Sequence, residues 1–198
     1  MESNRTKPAA KKISKFMLPY LFGILIVAQV AASGGNNSNY AVHHPIITDH
    51  TLEAKIAAFE KTGVNKKINI DYDVEEVIEY ATSLIGTPHV MGGYSPAGLD
   101  CSGLVKLVHE KSKVELPRSS HDQARYGTIL SSGEELKRGD LVFFHSTYKK
   151  SHLVTHSGIY LGDNKFIHTS ASRGVIISTL FDDNYYEKHY LFATRLER

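Results

Sequence analysis

Apolar positions fall along this chain in three successive patterns. Residues 16–32 form an almost unbroken apolar run, interrupted by Tyr20 and Gln29, and with no polar face they do not read as a helix packed on a core. Ser33-Gly-Gly-Asn-Asn-Ser-Asn39 follows as a linker. Helical spacing begins with Leu52, Ile56 and Phe59 in a small accessory helix over 51–61, which Gly63 is placed to end. It sharpens from Asp71, where Val74, Val77, Ile78, Ala81, Leu84 and Ile85 recur behind a capping-box-like Asp73 and Glu76. Gly86-Thr87-Pro88 ends that helix, and Gly92–Gly98 reads as a loop. Leu104, Val105 and Val108 then predict a helix over 101–111, and Ser120-x-x-Gln123 predicts the cap of a short third one.

After Gly139-Asp140 the period becomes extended. Residues 141–144, 156–161, 165–169, 175–178 and 190–195 are short runs rich in β-branched and aromatic residues, separated by turn chemistry. Helices first and closely spaced strands afterwards predict an α+β fold, with helices packed on an antiparallel sheet.

Charge changes the picture at one end only. Of 23 basic and 21 acidic residues in the 198, Arg5, Lys7, Lys11, Lys12 and Lys15 stand before the apolar run against Glu2 alone. The remainder is slightly acidic, which excludes a body built to grip nucleic acid. A basic start, an apolar run and small residues at Val30 and Ala32 make residues 1–32 an expected secretory signal peptide. A run of about 17 residues containing Pro19 and Gly23 is near the lower limit for crossing a bilayer, so an uncleaved membrane anchor is the alternative. The expected organisation is 1–32 signal or anchor, 33–70 linker and accessory helix, and 71–198 the principal domain. The protein is then expected to be exported to the cell envelope, membrane-anchored if the signal is retained.

The single cysteine, Cys101, excludes an internal disulfide and any multi-cysteine metal site. His43, His44 and His50 lack the spacing of a metal site, so no metal and no cofactor are expected. An exported free thiol needs a reason. Asp100-Cys101-Ser102-Gly103 delivers the thiol to the first turn of a helix, where unpaired N–H groups and the helix dipole favour a thiolate and can also meet an oxyanion. Such a nucleophile needs a proton carrier held by a third polar group. His156 and His168 are the candidates. If Gly162-Asp163-Asn164 is a three-residue turn, Leu161 pairs with Lys165 and His168 faces Gly158. The two histidines are then diagonal neighbours on one face, about 7–8 Å apart at Cβ. A two-residue turn is expected to put them on opposite faces. His109, His121, His145, His152 and His189 read as structural. Tyr185, Tyr186 and Tyr190 read as packing residues before they read as a glycan cleft.

The stretch Gly86-Thr-Pro-His-Val-Met-Gly-Gly-Tyr-Ser-Pro-Ala-Gly-Leu-Asp-Cys-Ser-Gly-Leu-Val105 resembles the signature of the NlpC/P60 family of bacterial cell-wall cysteine peptidases. So do Leu116-Pro-Arg-Ser-Ser-His-Asp-Gln-Ala124, Leu136–Phe144, His156–Gly162 and Phe166-Ile-His168, in order over roughly 72–196. The resemblance implies a papain-like core, Cys101 as nucleophile, His156 as base and His168 as the residue orienting it. It implies hydrolysis of peptidoglycan stem peptides, typically between D-glutamate and a diamino acid, with Asp100 and Ser102 helping to bind a free stem amine. His89 and Met91 stand where the family usually has Tyr and Trp, and His89 is expected to border the nucleophile. No separate wall-targeting domain is expected. The alternatives are a non-catalytic wall-binding or scaffold protein with the same fold, and an amidase or acyltransferase using the same Cys–His pair.

Overall fold

The computed structural model describes residues 50–63, 66–68, 71–130, 136–148, 152–182 and 185–196. The expected signal or anchor, the linker at 33–39, His43 and His44 lie outside the described residues. Among those described, no helix is long and apolar enough to cross a membrane.

Helix α1 (His50–Lys61) is the accessory helix, one residue longer than predicted. It buries Phe59 against Phe192 and the His121 ring. Helix α2 (Val74–Ser83) buries Val74, Val77, Ile78 and Ala81. Its cap is Asp73, whose carboxylate accepts from Glu75 N; the cap is therefore made two residues on, without the expected part for Glu76. The predicted loop at 92–98 is instead a small hairpin, β1 (Tyr94–Ser95) with β2 (Gly98–Leu99). Helix α3 (Cys101–Lys111) matches its prediction and buries Leu104, Val105 and Val108. The short α4 (Ser120–Gln123) is capped by Ser119, not Ser120, because the Ser119 hydroxyl accepts from Asp122 N. That shift leaves the Ser120 hydroxyl available elsewhere.

The remaining strands make one six-stranded antiparallel sheet: β3 (Thr128–Ile129), β4 (Leu141–Phe144), β5 (His156–Gly162), β6 (Lys165–Ser170), β7 (Gly174–Thr179) and β8 (Tyr190–Arg195), in the order β3-β8-β4-β5-β6-β7. Helix α5 (Tyr185–His189) precedes β8. Neither β3 nor α5 carries enough apolar periodicity to be predicted.

Side-chain alternation gives the sheet two apolar faces. Leu141, Phe143, Ile159, Ile167 and Val175 form the core shared with α2 and α3. Val142, Phe144, Tyr160 and Phe166 face the other way, into a second cluster with Leu180 and Tyr190 that Phe181 and Tyr186 flank. Asp140 is buried at the start of β4, where it accepts from Lys137 N and pairs with Arg195 at 2.7 Å.

The β5–β6 hairpin corrects the expected turn. Gly162 pairs with Lys165, so the loop is the two residues Asp163 and Asn164, both at positive φ (50° and 59°) as a type I′ turn requires. A bulge between Tyr160 and Gly162 then absorbs one residue, and Tyr160 pairs with Phe166 and Ile159 with Ile167. The bulge undoes the inversion that a two-residue turn alone would cause. The histidines share a face after all.

Candidate active site

The site forms where the start of α3 meets the start of β5. Asp100 caps α3 by accepting from Gly103 N at 2.7 Å. At Gly103 a Cβ would run into the Gly93 carbonyl, so only glycine lets the first turn come this close to the β1 segment. Thr169 Oγ1 donates to the Asp100 carbonyl at 3.2 Å and ties the turn to β6. Cys101, the first helical residue, is partly exposed, and its Sγ lies 3.6 Å from the Ser120 hydroxyl. Burial pushes the thiol up, but the charge of His156, hydrogen bonding from it and the Ser120 hydroxyl outweigh that and bring it down from 9.0 to about 7. The Asp100 charge opposes them weakly.

His156 is half-buried, and its Nε2 is 3.0 Å from Nδ1 of His168. The predicted pair is therefore in direct hydrogen-bonding contact. His168 is fully buried, and burial with the neighbouring His156 and Arg173 holds it well below the usual imidazole range, hence neutral. Its ring stacks on Phe166 with centroids 4.6 Å apart and meets the Tyr186 ring edge-on at 4.9 Å. Gly158, between the histidine positions, has no space for a side chain, because a Cβ there would sit 2.7 Å from the Phe166 ring and 3.2 Å from His168 Cβ.

Ser157 points to the opposite face of β5 from His156. Its hydroxyl lies 3.1 Å from that of Ser120 and donates to Gln123 Oε1 at 3.2 Å, while Gln123 Nε2 donates to the carbonyls of Ser102 and Pro117. This buried chain fixes α4 against the start of α3.

Asp100 and Ser102 are drawn into a clasp with Arg118. The guanidinium donates to both carboxylate oxygens at 2.9 and 2.7 Å, to Ser102 Oγ at 2.9 Å and to the Gly93 carbonyl at 3.0 Å. Gly92 N, Gly103 N and the Ser102 hydroxyl complete the carboxylate's set of donors. Burial pushes the Asp100 carboxyl up, but Arg118 and Gly103 N hold it below its ordinary value. His89 is half-buried and forms a parallel bridge with Leu99, two residues before Cys101. Tyr148, partly exposed, is held above its ordinary value by partial burial and by the charges of Cys101 and Asp100.

Sequence reasoning singles out the three central residues but not the contacts that Arg118, Ser120 and Tyr186 make with them and with Asp100. The Pro117-Arg-Ser-Ser120 run carried a signal for the first two without deciding their role. Among the described residues, no group of three or more His, Cys, Asp or Glu side chains is placed to hold a metal ion.

Known proteins resemble this arrangement. The family model described as the NlpC/P60 family matches residues 86–195. A murein DD-endopeptidase MepS/murein LD-carboxypeptidase of Escherichia coli is 30% identical over 188 residues, spanning 94% of this chain and 96% of that protein. A gamma-DL-glutamyl hydrolase of Bacillus subtilis is 35% identical over 127 residues, 64% of this chain but 30% of that protein. The crystal structure of an NlpC/P60 family protein from Bacillus cereus superposes with a TM-score of 0.57 at 32% identity, over 64% of this chain and 41% of that one. The chain thus covers nearly the whole of the first relative and less than half of the other two.

Proposed function

The chain belongs to the NlpC/P60 family, and from that premise we propose that it is an exported cysteine endopeptidase that hydrolyses peptidoglycan stem peptides through Cys101, His156 and His168. The observation that carries the reading is the His156–His168 contact at 3.0 Å, beside a thiol that His156 brings down to about 7. A thiol of lowered pKa at a helix start, beside an imidazole that a second imidazole orients, supplies the parts that acyl transfer needs.

In this mechanism His156 keeps its Nε2–H on His168 and takes the proton of the Cys101 thiol on Nδ1. The Cys101 thiolate attacks the scissile carbonyl carbon and a C–S bond forms. First-turn N–H groups of α3 that lack intrahelical acceptors meet the oxyanion; Asp100 occupies that of Gly103, which leaves those of Cys101 and Ser102. His156 Nδ1–H protonates the departing amine as the C–N bond breaks, leaving a thioester. Water then attacks the thioester, His156 takes its proton, and the C–S bond breaks to return the thiolate and a free carboxyl product.

Asp100, Ser102 and His89 are proposed as the substrate-facing edge. The first bond proposed is that between D-glutamate and the diamino acid; the name of the Bacillus subtilis relative, a gamma-DL-glutamyl hydrolase, supports its glutamyl side. A second reading is a cross-link bond that needs no free stem amine. It is favoured by Asp100, whose carboxylate is already satisfied by Arg118 and three other donors, and by the relative matched along nearly its full length. Export to the envelope is supported by the basic and apolar start of the sequence.

Digestion of purified peptidoglycan, with mass spectrometry of the fragments and Cys101→Ala as control, tests the reading. Fragments ending in D-glutamate support the first bond, and resolved cross-linked dimers the second. Stem peptides freed whole from the glycan would indicate an amidase. An inert wild-type protein that still binds the wall would indicate a scaffold and overturn the proposal.

A further inference from the structure

We propose that Ser178 is a fourth member of the site, a positioning residue that fixes the tautomer of His168 and through it the orientation of His156. The inference rests on the Cys–His–His reading above.

In the β6–β7 pair, Phe166 faces Ser178 and His168 faces Ile176, so Ser178 is the diagonal neighbour of His168 on the same face. Its Oγ lies 3.0 Å from His168 Nε2, while His168 Nδ1 lies 3.0 Å from His156 Nε2. Both nitrogens of a fully buried ring are thus engaged, and the ring plane is held by Phe166 and Tyr186.

Proton counting decides the direction of these bonds. His156 exchanges protons with sulfur, leaving group and water through Nδ1, so its Nε2 carries a hydrogen in both its base and acid forms. Nδ1 of His168 must therefore accept. A neutral imidazole then carries its one hydrogen on Nε2, and a buried N–H without an acceptor is costly. Ser178 Oγ supplies that acceptor. The Tyr186 hydroxyl, beside it, can take the serine's own hydrogen. The reverse tautomer would set the His168 Nδ1–H against the His156 Nε2–H, two donors facing each other. The charged groups around His168 are His156 and Arg173, and both disfavour a second proton on it.

The test uses the full-length protein with 15N-labelled histidine and soluble muropeptides as substrate. In the wild type, His168 should show a protonated Nε2 and a bare Nδ1. Ser178→Ala should lower kcat roughly ten- to a hundredfold with KM unchanged, the scale expected when a buried imidazole loses the partner that orients it. It should also shift the His168 nitrogens toward a mixed tautomer. Ser178→Thr, which keeps the hydroxyl, should restore most of both. A wild-type kcat in Ser178→Ala, or a wild-type His168 protonated at Nδ1, would overturn the inference. Failure of the underlying reading looks different: Cys101→Ala would keep its activity, whereas the nitrogen shifts report the tautomer independently of turnover.

Discussion

Replacing His156 by alanine removes the main groups that keep Cys101 acidic, and the consequence can be worked through. With the thiol at about 7, about half of the wild-type molecules carry a thiolate near neutral pH. Without the imidazole, burial remains and only Ser120 opposes it, so the thiol should return to 9.0 or above. The thiolate fraction near neutrality then falls to about one in a hundred or fewer. A less acidic thiol gives a more reactive thiolate, and a Brønsted slope of about 0.4–0.5 returns roughly six- to tenfold of the loss. The net fall in alkylation rate near neutral pH is therefore only about five- to eightfold. At alkaline pH the variant should react faster than the wild type. The decisive readout is the midpoint and not the rate at one pH. Iodoacetamide labelling followed by mass spectrometry across pH gives it cleanly, because Cys101 is the only cysteine. A wild-type midpoint near 9, or equal midpoints in wild type and His156→Ala, would refute the argument that His156 sets the thiol.

Turnover should rank the two histidines: His156→Ala should lose about 10²–10⁴-fold in kcat, His168→Ala less, and His168→Asn or Gln less again, because each amide can still accept from His156 Nε2; steady-state kinetics on muropeptides would show a reversed order if the roles are exchanged. Gly158→Ala should cost about 1–3 kcal/mol in urea unfolding, since its Cβ meets the Phe166 ring at 2.7 Å and the Ile167 carbonyl at 2.8 Å; a stability equal to wild type would show that the sheet yields there freely. His109 is buried, and burial brings it down from 6.5 to about 4 even though the Val105 carbonyl accepts its Nδ1–H. Its folded value lies below its unfolded one, so the contribution to stability is complete above about 6.5 and is lost as pH falls towards 4, amounting to about 3 kcal/mol. Unfolding midpoints measured across that window should fall in the wild type and fall less in His109→Gln; parallel curves would contradict this.

Local periodicity was enough to predict most of this fold. The helical spacing of Leu104, Val105 and Val108 set α3 at its observed bounds, and β-branched runs set five strands of the main sheet within one or two residues. Periodicity depends on neighbours in the chain, which is why it survives without coordinates. The segments it missed are those whose structure is imposed from outside: the β1–β2 hairpin held beneath α3, the two-residue β3 paired only with β8, and the single turn of α5.

The site divides along the same line. Cys101 at a helix start and two histidines on neighbouring strands were legible, because each follows from an element and its register. Their shared face was expected for the wrong turn. A bulge at Leu161 costs the ladder one residue, and nothing in the local pattern distinguishes that from a longer loop. The groups that tune the three residues could only come from tertiary structure. Arg118 closes on Asp100 from 18 positions away, Ser120 approaches Cys101 from 19, and Thr169 reaches the Asp100 carbonyl from 69. Such hydrogen bonds depend on where helices and strands come to rest against each other. Burial of the two apolar faces decides that, and burial is a property of the packed molecule rather than of any stretch of its sequence.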